Sequence, residues 1–374
     1  MAIARVVMVA VALTLIAAAA AIAFGSFKPV KSIPTGGWTY GVVAADLNRD
    51  GHADIVAAND GTSDDHVSVL YGKGNGTFRP EQRLIAGYAG PEGVAVADLN
   101  GDRRKDIAAV NYGTSTVALR IQTRSGKFRL GDTLPAGSGA WLIAAGDLNR
   151  DGKADIVTGN YDSSGPKAVS VLLGKGGGAF RSHRDYTASG KPYGLLIGRI
   201  NGDKRPDVVA VDTAGTASVL LTRRNGTLAP AINRTITPWV GDTYDPTLGD
   251  FNRDGKLDLA IGSYSSAKAL VLLGIGNGHL RSAKDSDLGG LKPNGMAAGD
   301  FNRDGKLDLA VGVFNSPWGF AFLPGRGDGS FGAPQPHAGT SSVQTVSQAN
   351  LNSDKALDVL IGTDKGVEVF LNKR

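Results

Sequence analysis

Short apolar runs alternate with polar, glycine-rich segments along almost the whole chain. They recur in a fixed order, with Val42–Ala45, Ile55–Ala58 and Val67–Leu70 as the first three. Runs this short, rich in β-branched residues and bounded by turn residues, indicate strands rather than helices. A glycine-rich turn, Gly74–Phe78 in the first copy, is then followed by a fourth and more polar run. The pattern therefore predicts repeats of four antiparallel strands.

A nine-residue polar loop separates the first and second apolar runs of each repeat. Its fullest form is Asp300–Asp308, and the same nine letters occur at Asp250–Asp258. Side-chain oxygens occupy its first, third, fifth and ninth positions, and glycine occupies the sixth. Seven copies follow one another at intervals of about 50 residues, beginning at Asp46, Asp98, Asp147, Arg199, Asp250, Asp300 and Asn350.

Four antiparallel strands in about 50 residues form one blade of a β-propeller. A β-sandwich lacks a strict long period, and a parallel calcium-binding β-helix has a much shorter one. The last copy stops at Phe370–Arg374, where the others enter their glycine turn, and Gly25–Pro29 matches the turn at Gly76–Pro80. We therefore predict an all-β, seven-bladed propeller in which residues near 27–34 form the outer strand of the last blade and leave no free blade edge.

The composition of the loops suits a hard cation. Alternate side chains can point oxygens inward, a backbone carbonyl can occupy the seventh place, and glycine permits the positive φ of the turn. Oxygen ligands of this kind favour Ca²⁺ over Mg²⁺. The alternative is an Asx-rich turn that binds nothing. We predict four to five Ca²⁺ sites, with the side-chain ligands Asp46, Asn48, Asp50, Asp54, Asp98, Asn100, Asp102, Asp106, Asp147, Asn149, Asp151, Asp155, Asp250, Asn252, Asp254, Asp258, Asp300, Asn302, Asp304 and Asp308.

Three loops depart from the full pattern. The second has Arg103 in place of glycine, and we expect weaker binding there because a positive φ costs a non-glycine residue about 1 kcal/mol. The fourth begins with Arg199, so we expect no metal but an internal ion pair of this guanidinium with Asp203 and Asp207. The seventh begins with Asn350, and its occupancy stays open.

These loops, together with turns of the form Gly-x-Gly-Asn-Gly-x-Phe, resemble the FG-GAP/VCBS repeat family over residues 27–374. Seven-bladed propellers of that family include the integrin α-subunit head and many secreted bacterial proteins. The resemblance implies Ca²⁺ in the turn between the first and second strands on the lower face, and ligands on the upper face. It does not imply one activity.

The first two strands of each blade run away from the loop and meet on the opposite face, around the mouth of the channel. Aromatic residues alternate there with amides and acids. Flat rings suit the C–H faces of sugars and amides suit their hydroxyl groups, but the same mixture suits a protein segment. The alternative is that the rings pack between blades. The candidate ligand-binding residues are Tyr40, Glu92, Trp141, Tyr193, Tyr244, Asn111, Tyr112, Asn160 and Tyr161.

Residues 1–24 differ from the rest of the chain. One positive charge in Met1–Arg5 precedes the uncharged run Val6–Ala23, which ends in a small-x-small cleavage pattern. We predict a cleaved signal peptide, with an uncleaved membrane anchor as the alternative. Residues 25–374 are then a single propeller domain in the secreted, extracellular or periplasmic space. The chain contains no cysteine, so neither disulfides nor thiol chemistry are available.

The remaining composition narrows the function. The formal net charge of +5 is dispersed through turns, without a basic stripe and stacking aromatics, so no nucleic-acid partner is expected. The five histidines lack zinc-ligand spacing, and no Gly-x-Ser-x-Gly elbow is present. We expect a monomeric binding or adhesion module for carbohydrate or a cell-surface protein. The alternative is a polysaccharide-active, lyase-like enzyme on the same scaffold.

Overall fold

A computed structural model of the chain describes residues 27–61, 65–85, 90–162, 167–236, 245–281 and 284–373. Residues 1–24, the predicted leader, and Tyr244 lie outside this part of the chain. In the described part, the one helical turn is the 3-10 segment Tyr112–Thr114. The strands are, in chain order, β1 (Phe27–Pro34), β2 (Trp38–Ala45), β3 (Asp54–Asp60), β4 (His66–Leu70), β5 (Gln82–Leu84), β6 (Pro91–Ala97), β7 (Asp106–Asn111), β8 (Thr116–Gln122), β9 (Phe128–Pro135), β10 (Ala140–Gly146), β11 (Asp155–Asn160), β12 (Val169–Leu172), β13 (Gly174–Gly176), β14 (Ala179–Phe180), β15 (Arg184–Tyr186), β16 (Pro192–Gly198), β17 (Asp207–Asp212), β18 (Thr216–Leu220), β19 (Ile232–Thr235), β20 (Thr247–Gly249), β21 (Asp258–Ser263), β22 (Lys268–Leu272), β23 (Lys284–Asp287), β24 (Pro293–Gly299), β25 (Asp308–Val313), β26 (Gly319–Leu323), β27 (Gln335–Ala338), β28 (Val343–Ala349), β29 (Asp358–Thr363) and β30 (Gly366–Asn372).

The strands form seven four-stranded antiparallel sheets, which confirms the predicted seven-bladed propeller. From the channel outward, the sheets are β2-β3-β4-β5, β6-β7-β8-β9, β10-β11-β12-β15, β16-β17-β18-β19, β20-β21-β22-β23, β24-β25-β26-β27 and β28-β29-β30-β1, which are blades 1 to 7. The innermost strands touch one another in order around the ring, and β28 returns to β2. A small separate hairpin joins β13 to β14.

The ring closes through β1, as predicted from the matching turn sequences. This strand pairs antiparallel with β30, from Phe27 opposite Asn372 to Pro34 opposite Gly366. The Phe27 ring is 7% exposed, and its centroid lies 5.0 Å from that of Phe320. The seventh blade is therefore built from both ends of the described chain.

The apolar core is divided among the contacts between blades. Each large cluster of buried apolar side chains joins two consecutive blades, including blade 7 with blade 1. The second strand of every blade is buried on both faces, as β7 illustrates. That is why these strands read as continuous apolar runs rather than alternating ones.

Each innermost strand separates two functional regions. Strand β2 begins near Tyr40 and ends just before the loop at Asp46, so these residues lie about 20 Å apart along the strand. The nine-residue loops therefore occupy the lower rim of the ring, and the aromatic positions occupy the upper rim. Within the described ranges, no helix is long and apolar enough to cross a membrane.

Candidate functional site

The lower-rim loops are held by hydrogen bonds between their own side chains and backbone. In the first loop, Asn48 Oδ1 accepts the Asp50 N–H at 2.9 Å, and Asp46 Oδ2 accepts the Gly51 N–H at 3.0 Å. Asp50 Oδ1 accepts the N–H of His52 at 2.9 Å. Each carboxylate or amide oxygen has two lone pairs, so these bonds leave acceptor capacity on every side chain.

The ninth-position aspartate has a structural role that the sequence analysis missed. Asp54 Oδ2 accepts the N–H of Leu47 and Oδ1 accepts the N–H of Gly72, both at 2.8 Å. This carboxylate therefore ties the loop to the end of the third strand. The same pair of bonds occurs in all seven blades, at Asp54, Asp106, Asp155, Asp207, Asp258, Asp308 and Asp358. The sequence did contain a signal for this role, because the ninth position is aspartate in all seven loops, whereas the first position varies.

The donor set of the complete loops suits Ca²⁺ because it consists only of oxygen ligands. Asp46 Oδ1 is buried and accepts no hydrogen bond, which leaves one carboxylate oxygen of the first loop without a partner. Among the described residues, no three acidic or histidine side chains are already gathered around one point. A cation would therefore have to draw the Asp46, Asn48 and Asp50 oxygens together. The calcium assignment stays a prediction.

Backbone geometry confirms that the sixth loop position needs a positive φ even without glycine. Arg103 has a φ of 69°, Lys204 of 72° and Lys355 of 70°. The fourth loop position also has a positive φ, as at Arg49 with 62° and Gly101 with 82°, and the sequence analysis did not predict this. Each non-glycine residue there costs about 1 kcal/mol. The tight loop shape is thus common to all copies.

The prediction that Arg199 forms an ion pair within the fourth loop is wrong, because Arg205 is the partner instead. Asp203 pairs with the guanidinium of Arg205, which also donates to the backbone carbonyl of Thr222 at 3.0 Å. Asp207 is satisfied by backbone N–H groups, as in the other blades. One residue separates Asp203 from Arg205, and the carbonyl of Thr222 lies within reach of this guanidinium, so a local pair forms in place of one with Arg199.

At the upper rim, a cavity of about 690 Å³ opens into the central channel. All seven innermost strands or the residues just before them contribute to its walls. Six of the candidate ligand-binding residues line it, namely Tyr40, Glu92, Trp141, Tyr193, Tyr112 and Tyr161. The structure therefore brings these side chains to one mouth, as expected from their equivalent positions in the repeats.

Four aromatic rings form one wall of this mouth. The centroid of Trp141 lies 4.9 Å from that of Tyr193 and 5.2 Å from that of Tyr161, with the rings tilted by 69° and 84°. Tyr112 extends the wall, 6.3 Å from Trp141. All four side chains are half-buried. Edge-to-face packing holds the rings in fixed directions while part of each faces the cavity.

Glu92 lies against this aromatic wall in an environment that disfavours its charged form. Burial and the nearby charge of Asp60 raise the pKa of Glu92 to about 8, although a hydrogen bond from Trp141 opposes the shift. Burial, followed by the charges of Glu92 and Asp60, raises the pKa of Tyr40 to about 12. Glu92 is therefore mostly a neutral acid at pH 7.

Two predicted ligand residues do not reach the cavity. Asn111 is 1% exposed and Asn160 is 0% exposed, because both end strands that are covered on both faces. Asn160 Nδ2 donates to Ser170 Oγ at 2.7 Å, and Asn111 Nδ2 donates to Thr116 Oγ1 at 3.1 Å. We correct their role from ligand binding to joining strands within a blade. Tyr244, the third residue not placed at the mouth, lies outside the described residues.

The opposite wall contains residues that were not among the candidates. Asp245, Asn294, Gln344 and Thr345 line the cavity together with Phe314. Burial raises the pKa of Asp245 to about 6, although a hydrogen bond with the Thr345 side chain acts to lower it. Asn294 and Gln344 occupy the same repeat position as Tyr40, so their place at the mouth could have been predicted from the sequence. Asp245 occupies no such position, and no sequence feature pointed to it.

Two lysines near the mouth lie over aromatic rings. The Lys191 Nζ lies 4.4 Å from the centroid of Tyr161, and the Lys292 Nζ lies 5.5 Å from that of Tyr264. Each lysine precedes the innermost strand of one blade and covers a tyrosine of the blade before it. These contacts join neighbouring blades at the upper rim.

Distant relatives of the chain are found among known proteins. Cartilage acidic protein 1 of mouse is 25% identical over 283 residues, 65% of this chain and 43% of that protein. The human protein is 25% identical over 271 residues, 62% of this chain and 40% of that protein. The chain thus matches less than half the length of these relatives.

Solved structures share the fold at low identity. BBS1N, solved in complex with ARL6DN, has a TM-score of 0.62 and 14% identity, covering 94% of this chain and 98% of that chain. Sqt1 of Saccharomyces cerevisiae has a TM-score of 0.57 and 10% identity, covering 93% and 99%. The FG-GAP-like repeat matches at residues 23–57, 46–109, 98–158, 199–261 and 250–311. Because these matches cover well over half of the sequence, the chain belongs to the FG-GAP-like repeat family.

Proposed function

We propose that this protein is an exported, calcium-stabilised binding module that takes carbohydrate at the mouth of its channel. The observation that carries the proposal is the wall formed by Tyr112, Trp141, Tyr161 and Tyr193 beside a cavity of about 690 Å³. Half-buried rings held at fixed angles can stack on the apolar faces of a sugar. The hydrogen-bonding groups of Asn294 and Gln344 on the other wall can meet its hydroxyl groups.

The proposed calcium sites support the ring rather than the ligand. The loops lie on the lower rim, at the other end of the strands that carry the aromatic positions. Asp, Asn and Asp at the first, third and fifth positions would hold the ion in the loops starting at Asp46, Asp98, Asp147, Asp250 and Asp300, together with the ninth-position Asp. A bound Ca²⁺ would offset the repulsion among these carboxylates and fix the loop that joins two strands.

A glycan array on the purified protein tests the binding proposal. We expect binding to a defined set of glycans, with the affinity for the best one reduced at least about tenfold by Trp141→Ala or Tyr193→Ala, because each substitution removes a stacking ring. Trp318→Ala is the matched control, since Trp318 is 43% exposed and does not line the cavity. Unchanged affinity in both channel variants would exclude this mouth as the site.

A polysaccharide-active enzyme is the second candidate, and Glu92 is the observation in its favour. A carboxyl whose pKa is about 8 carries a proton at neutral pH, as a general acid must. Incubation of the protein with the bound glycan, followed by product analysis, separates the two. Cleavage that is lost in Glu92→Gln while binding remains would assign an enzyme, whereas reversible binding without products supports the module.

A protein ligand is the competing occupant of the same mouth. The structurally similar BBS1N was solved in complex with a protein, ARL6DN. If the array shows no glycan binding, while a protein ligand binds and loses affinity through Trp141→Ala, the carbohydrate part of the proposal is wrong and the position of the site is right.

A further inference from the structure

Two buried oxygen atoms at the channel mouth accept no hydrogen bond. They are Glu92 Oε2 and Asn294 Oδ1, on opposite walls of the cavity. The Asn294 side chain is 2% exposed, and its amide is oriented by a bond from Nδ2 to the Val343 carbonyl at 2.7 Å. A buried acceptor without a partner is costly, so a ligand gains by supplying donors at these two atoms.

In the described part of the chain, the cavity is lined by acids and by no bases, while Lys191 and Lys292 lie beside it over tyrosine rings. Among the described residues that line the cavity, the acidic groups are Glu92 and Asp245, and none of the lining residues is a lysine, arginine or histidine. Asp60 and Asp65 add to the negative potential at Glu92. At pH 7 Glu92 is mostly protonated, so Asp245, Asp60 and Asp65 supply the negative potential that attracts a cationic ligand and repels one carrying carboxylates.

The aromatic wall already accommodates a cation within the protein. The ammonium group of Lys191 lies over one face of Tyr161, 4.4 Å from the ring centroid. Trp141, Tyr161 and Tyr193 stand at steep angles to one another, between 69° and 84°. Edge-to-face packing covers part of each ring face, and the parts that line the cavity are electron-rich, which favours an organic cation.

We infer that the sugar recognised at this mouth carries a free ammonium group, so that the site selects amine-bearing glycans over neutral ones. The inference rests on the proposed carbohydrate function of the same cavity. An ammonium group offers three hydrogen-bond donors and no acceptor, which matches the unpartnered oxygen of Glu92, and a hydroxyl group of the same sugar chain can donate to that of Asn294. The hydroxylated ring that bears it stacks on the tyrosine and tryptophan wall.

Glu92 couples this recognition to a proton. The groups that act on its carboxyl are Asp60, Asp65 and Trp141, and it acts in turn on Tyr40 and Tyr112. In the free protein the acid form prevails at pH 7. An ammonium beside it favours the carboxylate, so the acid proton passes to solvent as the amine-bearing sugar binds. Replacing Glu92 with glutamine keeps the shape and removes this ion pair.

Two matched hexasaccharides test the inference, namely β-1,4-linked glucosamine and β-1,4-linked N-acetylglucosamine, titrated into the purified protein near pH 6, where most of the amines are protonated. We expect the amine hexamer to bind at least about tenfold more tightly than its neutral counterpart. Glu92→Gln should reduce this preference at least about fivefold. Asp132→Asn should leave it unchanged, because it makes the same replacement of a carboxyl by an amide on an exposed residue of β9, away from the cavity.

The outcomes distinguish this inference from the proposed function. Equal affinity for both hexamers would overturn the ammonium selectivity and leave carbohydrate binding intact. A lysine-containing peptide that binds while neither hexamer does would overturn the sugar assignment as well. If Glu92→Gln fails to fold, salt replaces it as the test, since screening from about 50 mM to about 500 mM NaCl should weaken the amine hexamer selectively. An identical salt response for both hexamers would contradict the inference.

Discussion

The carboxylate of Asp207 accepts the backbone N–H of Thr222 at 2.9 Å, in the one loop whose first residue is arginine. The second oxygen of Asp207 accepts the N–H of Ile200 at 3.1 Å. This loop lacks the acidic first residue, yet its ninth aspartate makes the same two backbone hydrogen bonds as in the loops with the full pattern. Because we expect no ion in this blade, the contribution of its ninth aspartate can be separated from that of calcium.

Replacing Asp207 with alanine should destabilise the protein by about 2–4 kcal/mol, because two buried backbone N–H groups lose a charged acceptor. We expect the same loss with and without calcium, measured as the shift of the urea unfolding midpoint. Asp250→Ala is the comparison, since its effect should largely disappear in chelator. A calcium-dependent effect of Asp207→Ala, or none at all, would contradict this assignment.

Removal of calcium should lower the melting temperature strongly. A site contributes about 2.7 kcal/mol when free Ca²⁺ exceeds its Kd a hundredfold, and four to five such sites are expected. The measurement is thermal unfolding with and without chelator, together with the number of calcium ions bound per chain. Asp300→Ala should remove one ion, whereas Lys204→Ala in the fourth loop should remove none. A melting temperature that does not change in chelator would contradict the proposed structural role of the metal.

Glu92 should make stability depend on pH in a predictable direction. Its pKa is about 8 in the folded protein, against an ordinary value near 4.5. A raised acid pKa means that the folded state holds the proton more tightly, so this stabilisation is complete below about pH 4.5 and is lost as the pH rises towards 8. Glu92→Gln removes the dependence.

Melting curves of the two proteins at several pH values test this expectation. The parent loses this protonation-linked stability as the pH rises and the variant does not, so the variant gains stability relative to the parent between about pH 5 and about pH 9. A gain of about 1–3 kcal/mol is expected, after allowance for the partial exposure of the carboxyl. A constant difference across this range would show that Glu92 titrates normally.

Phe27 should be essential for closing the ring. Its side chain lies among the rings of Phe301, Phe320 and Phe322, at centroid distances of 6.0, 5.0 and 5.9 Å. Phe27→Ala should cost about 3–5 kcal/mol, as for other buried aromatic residues, measured by denaturant unfolding. Lys28→Ala next to it is exposed and should have little effect. Equal stability of both variants would mean that β1 contributes little to the closed blade.

The fold could be read from the sequence because the repeat imposes one pattern seven times. Period, strand length and the matching turn sequences together determined the seven blades and the pairing of β1 with β30. The mouth was predictable to the extent that it follows the repeat, as Tyr40, Trp141 and Tyr193 do. Features that do not follow the repeat could not be predicted. They include the position of Asp245 in the cavity wall and the pairing of Asp203 with Arg205 rather than Arg199.

Burial explains the residues whose role was misassigned. Asn111 and Asn160 share the polarity of a ligand-binding residue, but each ends a strand covered on both faces. A sequence shows that an amide is present and not whether its partner is a ligand or a neighbouring strand. The raised pKa of Glu92 could not be predicted from the sequence either, because it depends on burial and on the charge of Asp60 in the neighbouring blade.

The pairing of β1 with β30 also sets an order of events during synthesis. Phe27 leaves the ribosome early, yet its partner Asn372 lies 345 residues further along the chain. Blades 1 to 6 can assemble from local segments as they emerge, whereas β1 must wait with its strand edge and its phenylalanine uncovered. The ring can therefore close only after β30 has been made, and a nascent chain stalled before it would carry an aggregation-prone edge.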